Sequence, residues 1–143
     1  MMPSPACEGL IRDAEGRRLK AYQDSRGVWT IGIGHTRGVR PGMTCTEAQA
    51  ETWLEEDLAE AEAAVNRLAL PCTQNQFDAL VSFVFNEGPT KFAGSTLLHL
   101  HRARDYAAAA GEFGKWIYCD HKVLPGLIKR RAAEAHLYLG EAS

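Results

Sequence analysis

The sequence predicts an α+β fold of two lobes, and three observations carry that expectation. Large and small side chains alternate with the period of a strand over residues 28–35, close to the start of the chain. Apolar residues then recur with helical period from about residue 46 onward, with no second strand pattern among them. A chain of 143 residues with 45% apolar side chains is also long enough to bury a core as one domain. The expected division is a small N-terminal α/β lobe over about 1–45, a connecting helix over 46–68 and an all-helical lobe over 69–143. Clefts between two such lobes are where extended substrates bind.

The elements follow in order. Ser4 and Pro5 suit a helix start, with the serine hydroxyl as cap and the proline at the first helical position. Cys7, Leu10, Ile11 and Ala14 then share one face, and Gly16 ends the helix with Glu15 in its last turn. The negative end of the helix dipole disfavours a carboxylate there. Asp24-Ser25-Arg26-Gly27 has the residue preferences of a type I turn. In the strand that follows, Trp29, Ile31, Ile33 and His35 alternate with Val28, Thr30, Gly32 and Gly34. Thr46 with Gln49, and Thr73 with Gln76, have capping-box spacing and open two helices. The first shows an apolar face through Trp53, Leu54, Leu58, Ala61 and Val65; the second carries Phe77, Leu80, Val81, Val84 and Phe85 and stops near Gly88-Pro89. Ser95 and Asp105 cap two short helices, and Pro125-Gly126 precedes a last one through about Leu139.

Composition excludes several function classes. The net charge is −2 and the isoelectric point about 6.2, unlike the basic balance of a nucleic-acid binder. Charge is unevenly spread: seven basic against four acidic residues over 1–40, one against nine over 41–90, eight against five over 91–143. Basic ends can still face an anionic polymer, because attraction depends on local potential. No apolar run approaches the ~20 residues of a membrane span, and no signal peptide is visible, so synthesis in the cytoplasm without a membrane anchor is expected. Cys7, Cys45, Cys72 and Cys119 lack ligand spacing for a metal and read as small hydrophobes, with a disulfide formed after release into an oxidising compartment as the alternative. Neither a metal nor a cofactor is expected.

Glu15 and Asp24 flank a sharp chain reversal, and two carboxyls facing one groove is what glycoside hydrolysis requires. Their setting is more specific than the pair. The segment Glu15-Gly16-x-x-Leu19-x-x-Tyr22-x-Asp24-x-x-Gly27-x-x-Thr30-Ile31-Gly32-x-Gly34-His35-Thr36 resembles the signature of phage-type lysozymes. The resemblance continues through Phe85-Asn86-x-Gly88, Phe92-x-Gly94-Ser95-Thr96-Leu97-Leu98, Trp116 and Gly126-Leu127-x-x-Arg130-Arg131-x-x-Glu134, nearly the whole chain.

That resemblance implies a lysozyme-like two-lobe fold and a bacteriolytic endolysin that hydrolyses the bond between N-acetylmuramic acid and N-acetylglucosamine with inversion. Glu15 would be the acid, Asp24 would position or activate the attacking water, and Thr30 would help hold it. Gly34, Thr36, Phe85, Asn86 and Ser95 would line the saccharide groove, although Phe85 and Ser95 also read as core packing and helix cap. Trp53 and Trp116 read as core. The implied partner is the glycan strand of peptidoglycan, reached as a monomer after a holin opens the inner membrane, with action in the periplasm. A lytic transglycosylase and a non-catalytic wall-binding module are the alternatives.

Four features stand outside the pattern or beside it. His101-Arg102-Ala103-Arg104 lacks a glycine usual at that turn, and Glu87 stands where a small or apolar residue is common. Arg130 and Glu134 have the spacing of a solvated i, i+4 salt bridge. Asp57 lies in the apolar stripe of the connecting helix, so it is expected to pair with His35 as a structural ion pair, raising the histidine pKa and lowering its own.

Overall fold

The structure, a computed structural model, describes residues 1–140. In chain order its elements are α1 (Pro5–Glu15), β1 (Arg18–Gln23), β2 (Trp29–Gly32), α2 (Glu47–Asn66), α3 (Gln74–Glu87), α4 (Pro89–Ala93), α5 (Thr96–Arg102), α6 (Tyr106–Phe113), β3 (Tyr118–Cys119), β4 (Lys122–Val123) and α7 (Pro125–Leu139). The fold is α+β, with β1 and β2 antiparallel near the start of the chain and helices making up most of the remainder.

α3 occupies the centre of the core, packed by α1, α2, α4 and α7. It is apolar on nearly every side, and Phe77, Leu80, Val81, Phe83 and Val84 are all buried. Each such side chain contributes roughly 1.5–3 kcal/mol by leaving water. Phe83 meets Phe113 and Trp116 edge to face, with centroids 5.8 and 5.3 Å away, so Trp116 closes the core from one side. The helix opens on a complete capping box between Thr73 and Gln76, whereas Thr46 caps α2 through its hydroxyl alone.

α1, grouped above with the N-terminal lobe, buries Cys7 and Ile11 and makes its core contacts with α3 and α7. Ser4 does not cap it. The serine hydroxyl and its backbone N–H both donate to Asp78, which is fully buried in α3 and also accepts from Gln74 at 2.9 Å. A buried carboxylate demands donors, and that demand outweighs a local cap.

The strand expected over 28–35 is shorter. β2 ends at Gly32, and Ile31 and His35 then exchange backbone hydrogen bonds of 2.9 and 3.0 Å across a tight turn. Gly32 and Gly34 take φ of 67° and 71°, which turn the chain back before the alternation is complete. β3 and β4 were not foreseen. Their turn places Asp120 and His121 at φ 50° and 65°, a hairpin geometry normally announced by glycine or asparagine. At the corner between α5 and α6, Arg104 takes φ 63° in place of the missing glycine, while His101 turns inward to contact the Tyr138 hydroxyl at 2.6 Å.

Candidate active site

Glu15 is the last residue of α1, and its carboxyl is held from two sides. Arg130 Nη1 of α7 donates to Glu15 Oε1 at 2.5 Å. On the other side lies Gly34, where a Cβ would overlap the carboxylate. Asp24 follows β1 and is fixed by its own turn: Oδ1 accepts from the backbone N–H groups of Arg26 and Val28 at 2.8 and 2.9 Å. An aspartate that bonds backbone ahead of it is a common turn device, and here both of those bonds fall on Oδ1.

Both carboxyls line one cleft of about 320 Å³, with Tyr22, Arg26, Asn86 and the start of α7 as its other walls. Burial, with Glu15 next, pushes the Tyr22 phenol above its usual range, so it stays a neutral donor beside the acid. A second depression of about 180 Å³ is lined by Gly34, Thr36 and Phe85, together with Asp57 and Glu60. A third, about 400 Å³, lies beyond Arg26 and is lined by Glu87, Lys91, Lys115, Trp116 and Tyr118. Phe85, Asn86 and Glu87 at the end of α3 thus line three depressions in turn, a geometry suited to an extended polymer. Thr30 and Ser95 line none of the three. Thr30 is 2% exposed and donates to the Val28 carbonyl at 2.9 Å. Ser95 is buried as the cap of α5, accepting from the Leu98 N–H and donating to the Phe92 carbonyl.

Gly34 therefore does more than border a groove. Gly34→Ala is expected to displace the Glu15 carboxyl and to strain a backbone held at φ 71°. The expected cost is about 1–2 kcal/mol in urea unfolding, accompanied by a loss of turnover that Ala substitution at exposed Gly38 does not produce.

His35 Nδ1 lies 2.8 Å from Asp57 Oδ2, and the imidazole stacks on Trp53 at 4.5 Å. Trp53 and Trp116 are partly buried. The expected depression of the Asp57 pKa is corrected by the structure. Burial pushes the carboxyl up, and the hydrogen bond and charge of His35 offset this only in part. A raised folded-state pKa gives stability that is present in full below the ordinary carboxylate range and is lost as pH rises through the folded value. Asp57→Asn should remove that loss. In urea unfolding from about pH 4 to neutrality, the stability of wild type relative to the variant should fall as pH rises; a relative stability that grew with pH would show the His35 contact to be dominant.

The solvated salt bridge expected between Arg130 and Glu134 is also corrected. Arg130, Arg131 and Glu134 are 4%, 0% and 0% exposed, because α7 packs this face against α3. Arg131 donates to Glu134, Asn86, Glu87 and the Trp116 carbonyl, and Glu134 also accepts from Ser82 at 2.6 Å. Arg130 and Tyr22 are the site residues that sequence reasoning did not assign. Both lie in the quoted motifs, but Arg130 is 115 positions from Glu15, and no local pattern reports that contact. All four cysteines are free, and burial pushes the Cys7 thiol up to about 12.

Comparison with known proteins gives concordant results. The sequence profile of the family described as phage lysozyme matches residues 12–134. An endolysin of Acyrthosiphon pisum secondary endosymbiont phage 1 is 48% identical over 134 residues, covering 90% of this chain and 92% of its own. Among solved structures, the muramidase domain of SpmX from Asticaccaulis excentricus superimposes with a TM-score of 0.83 at 41% identity, covering 95% of this chain and 96% of that one. An endolysin from Escherichia coli O157:H7 phage FAHEc1 does so with a TM-score of 0.84 at 39% identity, covering 97% and 94%.

Proposed function

Because this chain belongs to the phage lysozyme family and is a lysozyme-type glycoside hydrolase, we propose that it is an endolysin hydrolysing the bond between N-acetylmuramic acid and N-acetylglucosamine in peptidoglycan. The observation that carries this reading is the convergence of two independently held carboxyls, Glu15 and Asp24, on one cleft. Glu15 gives its proton to the glycosidic oxygen as the bond to C1 breaks. Asp24 takes a proton from the water that attacks C1 from the opposite face, and the muramic acid leaves with a new reducing end. Thr30 borders none of the depressions and its hydroxyl donates to Val28, so to hold that water it must accept from a water seated deeper than the cleft wall. Gly34, Thr36, Phe85 and Asn86 border the saccharide on either side of the cleavage point.

Inversion requires a water between sugar and base, with roughly 6.5–9.5 Å between the two carboxyls. The test is proton NMR of the products from purified glycan strands: the first product should carry the inverted anomer and a reducing muramic acid. Thr30→Glu should replace this turnover by a trapped or rerouted sugar. Retained configuration in the wild type would remove the water-holding role of Thr30, and an anhydro-sugar would make the enzyme a transglycosylase. In the same reading the chain acts as a monomer and reaches the wall through an inner membrane opened by a holin. Lysis on expression alone, equal to lysis with a holin co-expressed, would contradict that route.

A further inference from the structure

We propose that Arg26 is a positioning residue: its guanidinium, clamped by Glu87 at the end of α3, fixes the turn that holds the Asp24 carboxylate, so that the placement of Asp24 against Glu15 is set from α3. The inference rests on the reading of Glu15 and Asp24 given above.

The local geometry makes the need plain. Asp24 is oriented by the N–H groups of Arg26 and Val28, so its carboxylate follows wherever the turn goes. That turn tips a two-stranded hairpin, an arrangement that is marginal without outside support. The strands lean on α2 and pair with residues 43–45, but the tip turn itself is held from α3. Arg26 Nη2 lies 2.5 Å from Glu87 Oε1, a residue 61 positions away, while Cys119 Sγ reaches the Ser25 carbonyl only at 3.9 Å.

Glu87 is otherwise poorly placed. Its side chain is 3% exposed and ends a helix, where the dipole opposes a negative charge. Cations hold it there: Arg26, Arg131 at 3.2 Å and Lys91 at 3.7 Å. Arg131 bonds Glu134, Glu134 Oε2 lies 3.5 Å from Arg130 Nε, and Arg130 holds Glu15. A ladder of alternating charge therefore runs from the Asp24 turn through the buried face of α7 to the Glu15 carboxyl. Both reacting groups hang from it, one at each end. Since a misplacement of about 1 Å can reduce turnover 10²-fold, loosening the Arg26 end should act on the rate step and not on binding.

The experiment measures kcat and KM on purified glycan strands for Arg26→Met, Arg26→Lys, Asp24→Asn and the Arg26→Met/Asp24→Asn double variant, with amide exchange at Val28 followed by NMR. Arg26→Met should lower kcat by about tenfold or more with KM within about twofold, speed exchange at the Val28 N–H, and lower the urea midpoint without unfolding the protein, because Arg131 and Lys91 still face Glu87. Arg26→Lys, which keeps a cation for Glu87, should recover most of kcat. In the Asp24→Asn background Arg26→Met should cost nothing further, because the carboxylate it positions is gone. A KM effect with unchanged kcat would make Arg26 a substrate contact and overturn the proposal. So would unchanged Val28 exchange, or losses that multiply in the double variant. Failure of the underlying reading looks different: Asp24→Asn would itself stay within about tenfold of wild type, whatever Arg26→Met does to Val28 exchange.

Discussion

Glu15→Gln is expected to lower turnover on peptidoglycan by about 10²–10⁴-fold, the usual contribution of a positioned general acid, while the protein stays folded. The amide keeps the shape of the carboxyl, and its oxygen can still accept the hydrogen bond that Arg130 now gives at 2.5 Å. What it lacks is a proton for the leaving oxygen. Glu15→Asp separates chemistry from placement. It retains the acid but draws it back by one methylene from Arg130 and Gly34, so it should be impaired as well, in kcat more than in KM. Both are read by turbidity loss of outer-membrane-permeabilised cells, with circular dichroism to confirm the fold. Activity of Glu15→Gln within about tenfold of wild type would remove Glu15 as the acid.

Arg131→Met is expected to be the most damaging single change to stability, by about 3–5 kcal/mol, the cost of removing one partner from a buried ionic cluster. Arg131 is fully buried and donates to Glu134, Glu87, Asn86 and the Trp116 carbonyl. Its loss takes a buried counter-charge from Glu134 and from Glu87 at once. Cation–π packing over Phe83, 5.0 Å from the guanidinium, goes with it. Removing Glu134 together with it, as Arg131→Met/Glu134→Leu, should recover part of the loss, because an apolar pair no longer leaves a charge without its counter-charge. Urea unfolding with matched m-values measures both. Equal stability of Arg131→Met and wild type would mean that the cluster is hydrated in solution. Activity should fall with stability in the single variant, since Arg131 also holds Asn86 on the wall of the cleft.

Much of the frame was legible because it is encoded locally. Thr46 and Thr73 announce α2 and α3 by caps that act within four residues, and the apolar period names the buried faces. Glu15 and Asp24 were legible as a pair for the same reason: one closes a helix, the other opens a turn nine positions later, and a short reversal brings them to one cleft. Where local signals competed with distant demands, the distant ones prevailed. Ser4 was free to cap α1 but donates to Asp78, 74 positions away. The alternation of 28–35 looked like an uninterrupted strand, but Gly32 and Gly34 turn the chain back so that His35 pairs with Ile31.

Charge at a buried interface was the least legible of all. Arg130 and Glu134 have the spacing of an exposed salt bridge, and nothing within α7 says that α3 will cover them. Asp57 was expected to have its pKa lowered by His35, but burial decides the sign. The sequence by itself determined the longer helices, the caps at Thr46, Thr73, Ser95 and Asp105 and the two carboxyls at the chain reversal, because period and capping depend on neighbours a few residues apart. Only the tertiary structure decided which charges leave water and which partners they meet there, because desolvation and Coulomb attraction depend on distances in space, and these join Glu15 to Arg130 and Arg26 to Glu87 across most of the chain.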